Sequence, residues 1–413
     1  MRYTIAWGNR GILFFLFLLF VVVSHAQVEI KGRVVAATGE APIAGASVYL
    51  NNTSFGTATG STGEFSFNVP AGKYDLVVSS VGFETYFSTV QTATATAGLV
   101  IQLQPRVAVL DEVVIATYDK DGWNNWGKFF IDNFIGTSDL ASSCRILNPQ
   151  VLKFRHDKQN KILTVVANEP LIIQNKALGY IINYDLQQFQ FNFSTRYLLF
   201  VGYPLFKNMD GRAAQLRRWQ AKREDVFYGS MTHFMRALYR NKIDEEGFEV
   251  RRLVKKPNVE KQRVKQIMDR QAKVQAIASR GNTVVTNFSK DSASYYQRVM
   301  HQPNEVAYLL NTLLPGDSIA YAIDSVTAGL SFTDYLQVFY KHKKAPPAYY
   351  SNTMMNSSEA MVSEFYLVNG HEVEVQSNGS VYPPTELLTL GYWAWSEKMC
   401  SMLPLNYVPV AKQ

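Results

Sequence analysis

Residues 64–69 read Glu-Phe-Ser-Phe-Asn-Val, with polar and apolar side chains in strict alternation. A strand there turns Phe65, Phe67 and Val69 to one face and Glu64, Ser66 and Asn68 to the other, as a half-buried strand requires. Residues 73–80, KYDLVVSS, repeat the pattern with Tyr74, Leu76 and Val78 inward. Pro70 and Gly72 between the two runs fix one φ and free another, so the chain can reverse within a few residues. Gly63 and Gly82 serve the same purpose on either side. These are turn glycines, and no helix follows whose N-terminus could hold a phosphate.

The period changes downstream. Trp123, Trp126, Phe130 and Phe134 recur at helical spacing and stop at Gly136. Alternation or short apolar runs predict strands at 151–155, 162–167, 178–184, 188–193 and 197–202. Helices are predicted at 213–228 and 230–239, then a strand at 248–254 and a charged helix at 259–279. Further strands fall in FTDYLQVFYKH, SEFYLVN and HEVEVQ, and the turn SNGS makes the last of these one arm of a hairpin. The fold class predicted is multidomain, an N-terminal all-β sandwich followed by an α+β body. Its divisions are a sandwich at 27–105, a linker at 106–122 and a domain at 123–413. At 413 residues and 47% apolar content the chain is long enough for two or three cores.

The beginning of the chain predicts export. Arg2 and Arg10 precede the unbroken apolar run 12–23, and in Ser-His-Ala the small residues Ser24 and Ala26 stand where a signal peptidase reads. Twelve helical residues rise about 18 Å, short of the roughly 30 Å of a bilayer core. The reading is a signal peptide at 1–26 with cleavage after Ala26. An uncleaved anchor lengthened by Ile5 and Trp7 is the alternative. Cysteine is absent from the cleavage site, which disfavours lipoprotein processing, and no second long apolar run appears.

The phrases IKGRVV, APIAGASVYL, GTATGSTGEFSFNVPAGKYDLVVSSVGFETY and GLVIQLQP, in that order from Val28 to about Gln104, resemble the carboxypeptidase-regulatory-like family of transthyretin-type β-sandwiches. In bacterial envelopes the family's domains are fused ahead of other modules, TonB-dependent outer-membrane transporters among them. LDEVVI at 110–115 resembles the segment that links such a sandwich to a transporter's plug. A transporter is nevertheless excluded. Roughly 300 residues remain, without the many alternating segments of roughly ten residues that a plug and a 22-stranded barrel would take. From about Asp119 the chain is similar to exported proteins that carry this domain without an assigned activity, through CRILNPQVLKF, NEPLIIQNKALGYIINYDLQQF, FYGSMTHFMRAL and GYWAWSEKMCSMLPLNYVP.

The resemblance raises the question of zinc. His371 and Glu374 form an H-x-x-E, but no histidine follows His371, and on an alternating strand the two would face opposite sides. The protein is therefore not read as a zinc carboxypeptidase, and neither a metal site nor a cofactor is expected. Gly316–Ala320, GDSIA, reads as a turn entering a strand and not as a nucleophile elbow. Ser230 and His233 stand at i and i+3 on a predicted helix. They are the candidate catalytic pair, against a plain N-cap role for Ser230. Asp244, Glu245 and Glu246 read as a solvated turn before Gly247. Tyr392, Trp393 and Trp395 are either core or a sugar-stacking platform, decided by exposure. Cys144 and Cys400 are a possible disulfide, because an exported chain meets an oxidising compartment. Two buried thiols are the alternative.

Charge is local. Residues 251–280 hold ten basic side chains against Glu260 and Asp269, a net of +8 within a chain of +7. Lys261, Arg263, Lys265 and Lys273 form the candidate basic interaction face, read either as solvated helix or as a surface for an envelope protein or an anionic envelope surface. Nucleic acid is not an expected partner of an exported chain without a nucleic-acid module. The function expected is an exported, periplasmic or outer-membrane-associated protein that binds or scaffolds without catalysis. A hydrolase centred on Ser230 and His233 is the alternative.

Overall fold

A computed structural model of the chain describes residues 27–92, 98–106, 118–280, 290–324, 326–353 and 360–410. The predicted signal peptide, and residues 107–117 of the predicted linker, lie outside the described residues. The described residues divide into two compact units, one made of those between 27 and 134 with 143–220 and 406–408, the other of 135–142, those between 221 and 405, and 409–410.

In the first unit β1 (Gln27–Ala36), β2 (Ser47–Leu50), β3 (Gly56–Ala58), β4 (Glu64–Pro70), β5 (Lys73–Ser79), β6 (Tyr86–Gln91) and β7 (Leu99–Leu103) build two sheets, ordered β4-β1-β7 and β3-β2-β5-β6. Strand β1 runs antiparallel to β4, with Ile30 opposite Phe67, and parallel to β7. The inner faces of both sheets share one core containing Ile30, Val34, Val48, Leu50, Phe65, Val69, Leu76 and Val78. Phe65 and Val69 are buried, Phe67 packs against the core, and Glu64, Ser66 and Asn68 are exposed, as the alternation predicts. Strand β5 departs from it, because Asp75 and Val77 on its other face are buried too. Val77 packs with Tyr49 and Leu205, which lies on the next sheet of the same unit.

That sheet comprises β8 (Cys144–Ile146), β9 (Leu152–Asp157), β10 (Ile162–Ala167), β11 (Leu171–Asn175), β12 (Tyr180–Asn192) and β13 (Tyr197–Asn208). Its order is β8-β11-β12-β10-β9, with β13 also pairing with β12. The Thr85 hydroxyl donates to Asp185 at 2.6 Å, and Thr53 bridges Leu205. The two strands predicted at 178–184 and 188–193 are one, continuous through a register shift between Leu186 and Gln188. A bulge interrupts alternation without ending the strand. Helix α1 (Gly122–Phe134) buries Phe130 and Phe134, whose rings meet Phe189 and Tyr184 at 4.9 and 5.0 Å.

Helix α2 (Ala213–Phe227) leads to the second unit and to α3 (Met231–Tyr239). There follow β14 (Phe248–Pro257), α4 (Val259–Arg280), α5 (Lys290–Met300), β15 (Glu305–Leu313), β16 (Ala320–Ala322), β17 (Thr327–Leu330) and β18 (Tyr335–Lys344). Then come α6 (Pro347–Thr353), β19 (Ala360–Leu367), β20 (Val373–Gln376), β21 (Val381–Tyr382), β22 (Leu387–Gly391) and α7 (Tyr392–Ser396). One sheet is ordered β15-β14-β18-β19-β22 and a second β16-β17-β20-β21. They share a core in which Phe234, Met235 and Leu238 of α3 meet Phe248, Leu330, Phe365, Val375 and Trp393. The N-terminal β-sheets are thus followed by a mixed α/β region.

Candidate functional site

Helix α3 starts where Gly229, at φ 87°, reverses the chain and Ser230 caps the first turn. The Ser230 hydroxyl accepts the main-chain N–H of His233 at 3.1 Å. The His233 ring, 2% exposed, is engaged elsewhere. Its Nδ1 accepts the Gly229 N–H at 3.1 Å, so Nε2 carries the proton and donates to Glu246 at 2.8 Å. Serine and histidine therefore meet through the histidine's main chain, and neither ring nitrogen is available to take the serine's proton. Burial lowers the His233 pKa, outweighing the Glu246 carboxylate that raises it.

The acidic turn is less uniform than the sequence implies. Asp244 and Glu245 pair at the surface with Lys341 and Lys242. Glu246 is half-buried between His233 and Arg240. Its role has no signature in the chain, because Glu246 lies thirteen residues from the ring that it accepts from.

Beside Ser230 is a cavity of about 160 Å³, walled by Tyr392, Trp395 and Glu397 and edged by Asp225 and Lys343. Glu397 accepts the Met231 N–H at 2.9 Å, an anion at the positive end of α3. Burial nevertheless pushes its carboxyl above the ordinary value. Lys343 and Asp225 form an ion pair at 2.7 Å. Of the three C-terminal aromatics, Trp393 is 1% exposed and donates its indole N–H to the Gly229 carbonyl. Tyr392 is buried and Trp395 half-buried. The aromatics are largely core, and only the edges of Tyr392 and Trp395 remain to offer a stacking wall. This arrangement can hold a small molecule, while Ser230 there is committed to the helix cap.

The four basic residues of α4 separate into two pairs. Lys261 is half-buried and donates to the Gln302 carbonyl, and Arg263 pairs with Glu260 at 2.6 Å. Glu260 also accepts the Tyr295 hydroxyl of α5, and its carboxyl is pulled down to about 2, first by Arg263 and then by Tyr295. Lys265 and Lys273 stand exposed on α4, outside the described hydrogen bonds and ion pairs. The two cysteines fall in different units. Both are buried, and neither is in a disulfide. Cys400 contacts the Ser138 hydroxyl at 3.3 Å.

His371 precedes β20 and contacts Glu386 at 3.2 Å, while Glu374 lies within the strand opposite Tyr382. Among the described residues no three His, Cys, Asp or Glu side chains are grouped to hold a metal ion. Gly316–Ser318 forms a single helical turn before β16, and the Ser318 hydroxyl donates to the Pro315 carbonyl at 2.7 Å. No described helix is long and apolar enough to cross a membrane.

Residues 30–115 match the CarboxypepD_reg-like domain family, so the N-terminal sandwich is a domain of that kind. No curated protein matches the chain. Similar solved structures include a DUF3823 family protein from Bacteroides ovatus, 9% identical over 45% of this chain and 83% of that one, with a TM-score of 0.16. Another DUF3823 family protein, from Parabacteroides merdae, is 12% identical over 46% and 85%, with a TM-score of 0.14. A protein of unknown function from Bacteroides fragilis, suggested to be membrane-associated, is 10% identical over 89% and 95%, with a TM-score of 0.16. At such TM-scores these likenesses carry no conclusion about this chain.

Proposed function

We propose that this chain, which carries a CarboxypepD_reg-like domain at residues 30–115, is an exported cell-envelope protein that binds or scaffolds without catalysis. The observation that supports this reading is the division within α4, where Lys261 and Arg263 are tied to neighbouring groups while Lys265 and Lys273 face water. Exposed cations in a segment of net +8 attract acidic partners or anionic surfaces, and the attraction weakens as screening contracts from about 8 Å at 0.15 M salt to about 3 Å at 1 M. Export is read from the leader pattern at 1–26, and mature protein recovered from envelopes is expected to begin at Gln27.

The test is envelope association across a salt series. Exchange of Lys261, Arg263, Lys265 and Lys273 for glutamine lowers salt-sensitive association, and Lys265→Gln with Lys273→Gln alone accounts for most of the loss. Association insensitive to salt and to both sets of substitutions would refute the reading. The same preparation is expected to cleave no peptide in a chelator-sensitive manner, and stoichiometric zinc together with such cleavage would overturn the non-catalytic assignment.

A further inference from the structure

Among the described residues strand β15 is the end strand of its sheet, hydrogen-bonded to β14 on one side. Its nine residues, Glu-Val-Ala-Tyr-Leu-Leu-Asn-Thr-Leu, are exposed on both faces throughout. Val306, Tyr308, Leu309, Leu310 and Leu313 are each 39–51% exposed. The opposite end strand, β22, has five residues and buries its first. Edge strands in soluble proteins are blunted by shortness, by lysine, by proline or by a cover. Strand β15 has no lysine and no proline, and its single charge is Glu305 at the start.

The base of the basic helix adjoins that start. Asn258, between β14 and α4, donates its main-chain N–H to Asn304 and its side-chain amide to Gln302 and Pro303. Lys256, opposite Val306 in the ladder, places its ammonium over the Tyr308 ring at 5.9 Å. A nine-residue apolar edge thus begins at the foot of the helix that carries Lys265 and Lys273.

From this juxtaposition we infer that β15 is a docking edge for an extended segment of a partner protein, apolar along the strand and acidic at the end beside Glu305. Another extended backbone can replace the water on the outward N–H and C=O groups of an edge one for one, whereas the hydrocarbon of a lipid surface would leave them unpaired. A second copy of this chain supplies the backbone but not the charge. Antiparallel pairing would lay Leu313–Gly316 at the foot of α4, and the next carboxylate is Asp317. An acidic tail neutralises Lys256, Lys265 and Lys273, which is the complementarity that selects one strand over another. The inference rests on the envelope-binding reading and names the class of its partner.

The test uses the full mature protein and a fluorescent peptide of nine alternating valines and threonines, matched to β15 and ending in a run of glutamates. A control peptide ends in glutamines. Tyr308→Lys with Leu310→Lys keeps the sheet, since both side chains are already exposed, and is expected to weaken binding of both peptides about tenfold or more by charging the docking face. Lys265→Gln with Lys273→Gln is expected to reduce the preference for the glutamate tail several-fold while leaving the control peptide's binding unchanged. Bound peptide is expected to protect from hydrogen exchange the outward-pointing amides within 305–313, those not already bonded to β14. Peptide binding that is absent, or indifferent to Tyr308→Lys with Leu310→Lys, overturns the inference. So does a dimer in sedimentation that the same pair dissolves, or capture of phosphatidylglycerol vesicles in place of peptide. If the lysine variants lose envelope association while the β15 variants keep it, strand docking fails and the basic-face reading stands.

Discussion

The His233 imidazole takes a main-chain N–H on Nδ1 and gives its own proton to Glu246 from Nε2, an arrangement that only the neutral ring satisfies. Protonation would set a second donor against the Gly229 N–H inside a buried site. The folded chain therefore takes up this proton at lower pH than the unfolded chain, whose histidine titrates near 6.5. In that window the unfolded state binds more protons, so the stabilisation is full above about pH 6.5 and declines as pH falls towards the folded pKa. Around the ring, Glu246 opposes the shift, while Arg240 and Arg236 reinforce it. Denaturant unfolding between about pH 7 and pH 5 should show the decline, and His233→Gln should flatten it. Ser230→Ala should cost about 1 kcal/mol through loss of the cap, read from the denaturation midpoint. If Ser230 were a nucleophile, the same substitution would abolish a turnover instead.

At the scale of elements, β4 shows how alternation becomes a core. Phe65, 5% exposed, packs into the core that both N-terminal sheets share, so Phe65→Ala should destabilise the sandwich by about 3–5 kcal/mol, measured by urea unfolding. Ser66→Ala, at an exposed position of the same strand, should be nearly neutral. Helix α4 behaves differently. It buries Val264 but leaves Met268, Val274 and Ile277 exposed among its cations. Its first turn is fixed by Asn258, whose side chain accepts the Lys261 N–H at 3.0 Å, and by the Glu260 contacts to Arg263 and Tyr295. Asn258→Ala should therefore loosen both the helix start and the adjoining start of β15, seen as faster amide exchange over 259–263 and 305–307.

For the whole molecule, alkylation of denatured, unreduced protein should label both cysteines, and native protein should react at neither, because Cys144 and Cys400 are buried and not joined in a disulfide. Burial also raises the Cys400 thiol above its ordinary pKa and further suppresses the thiolate. Labelling at neither site after denaturation would demonstrate a disulfide. Much of the architecture was legible from periodicity alone. The inward set of β4 and the helical spacing of Phe130 and Phe134 are local patterns, written by the two-residue and 3.6-residue repeats. The +8 segment is likewise plain, because charge is additive along a chain. What periodicity leaves open is which partner each group meets. The same spacing of Ser230 and His233 serves a dyad or a cap, and only the packing of Gly229 and Glu246 around the ring distinguishes them. The second buried face of β5, the half-burial of Glu246 and the open edge of β15 depend on elements far away in sequence. Burial is a property of the three-dimensional neighbourhood, so the sequence determined the elements and the tertiary structure decided which of their faces are spent on the fold and which stay exposed.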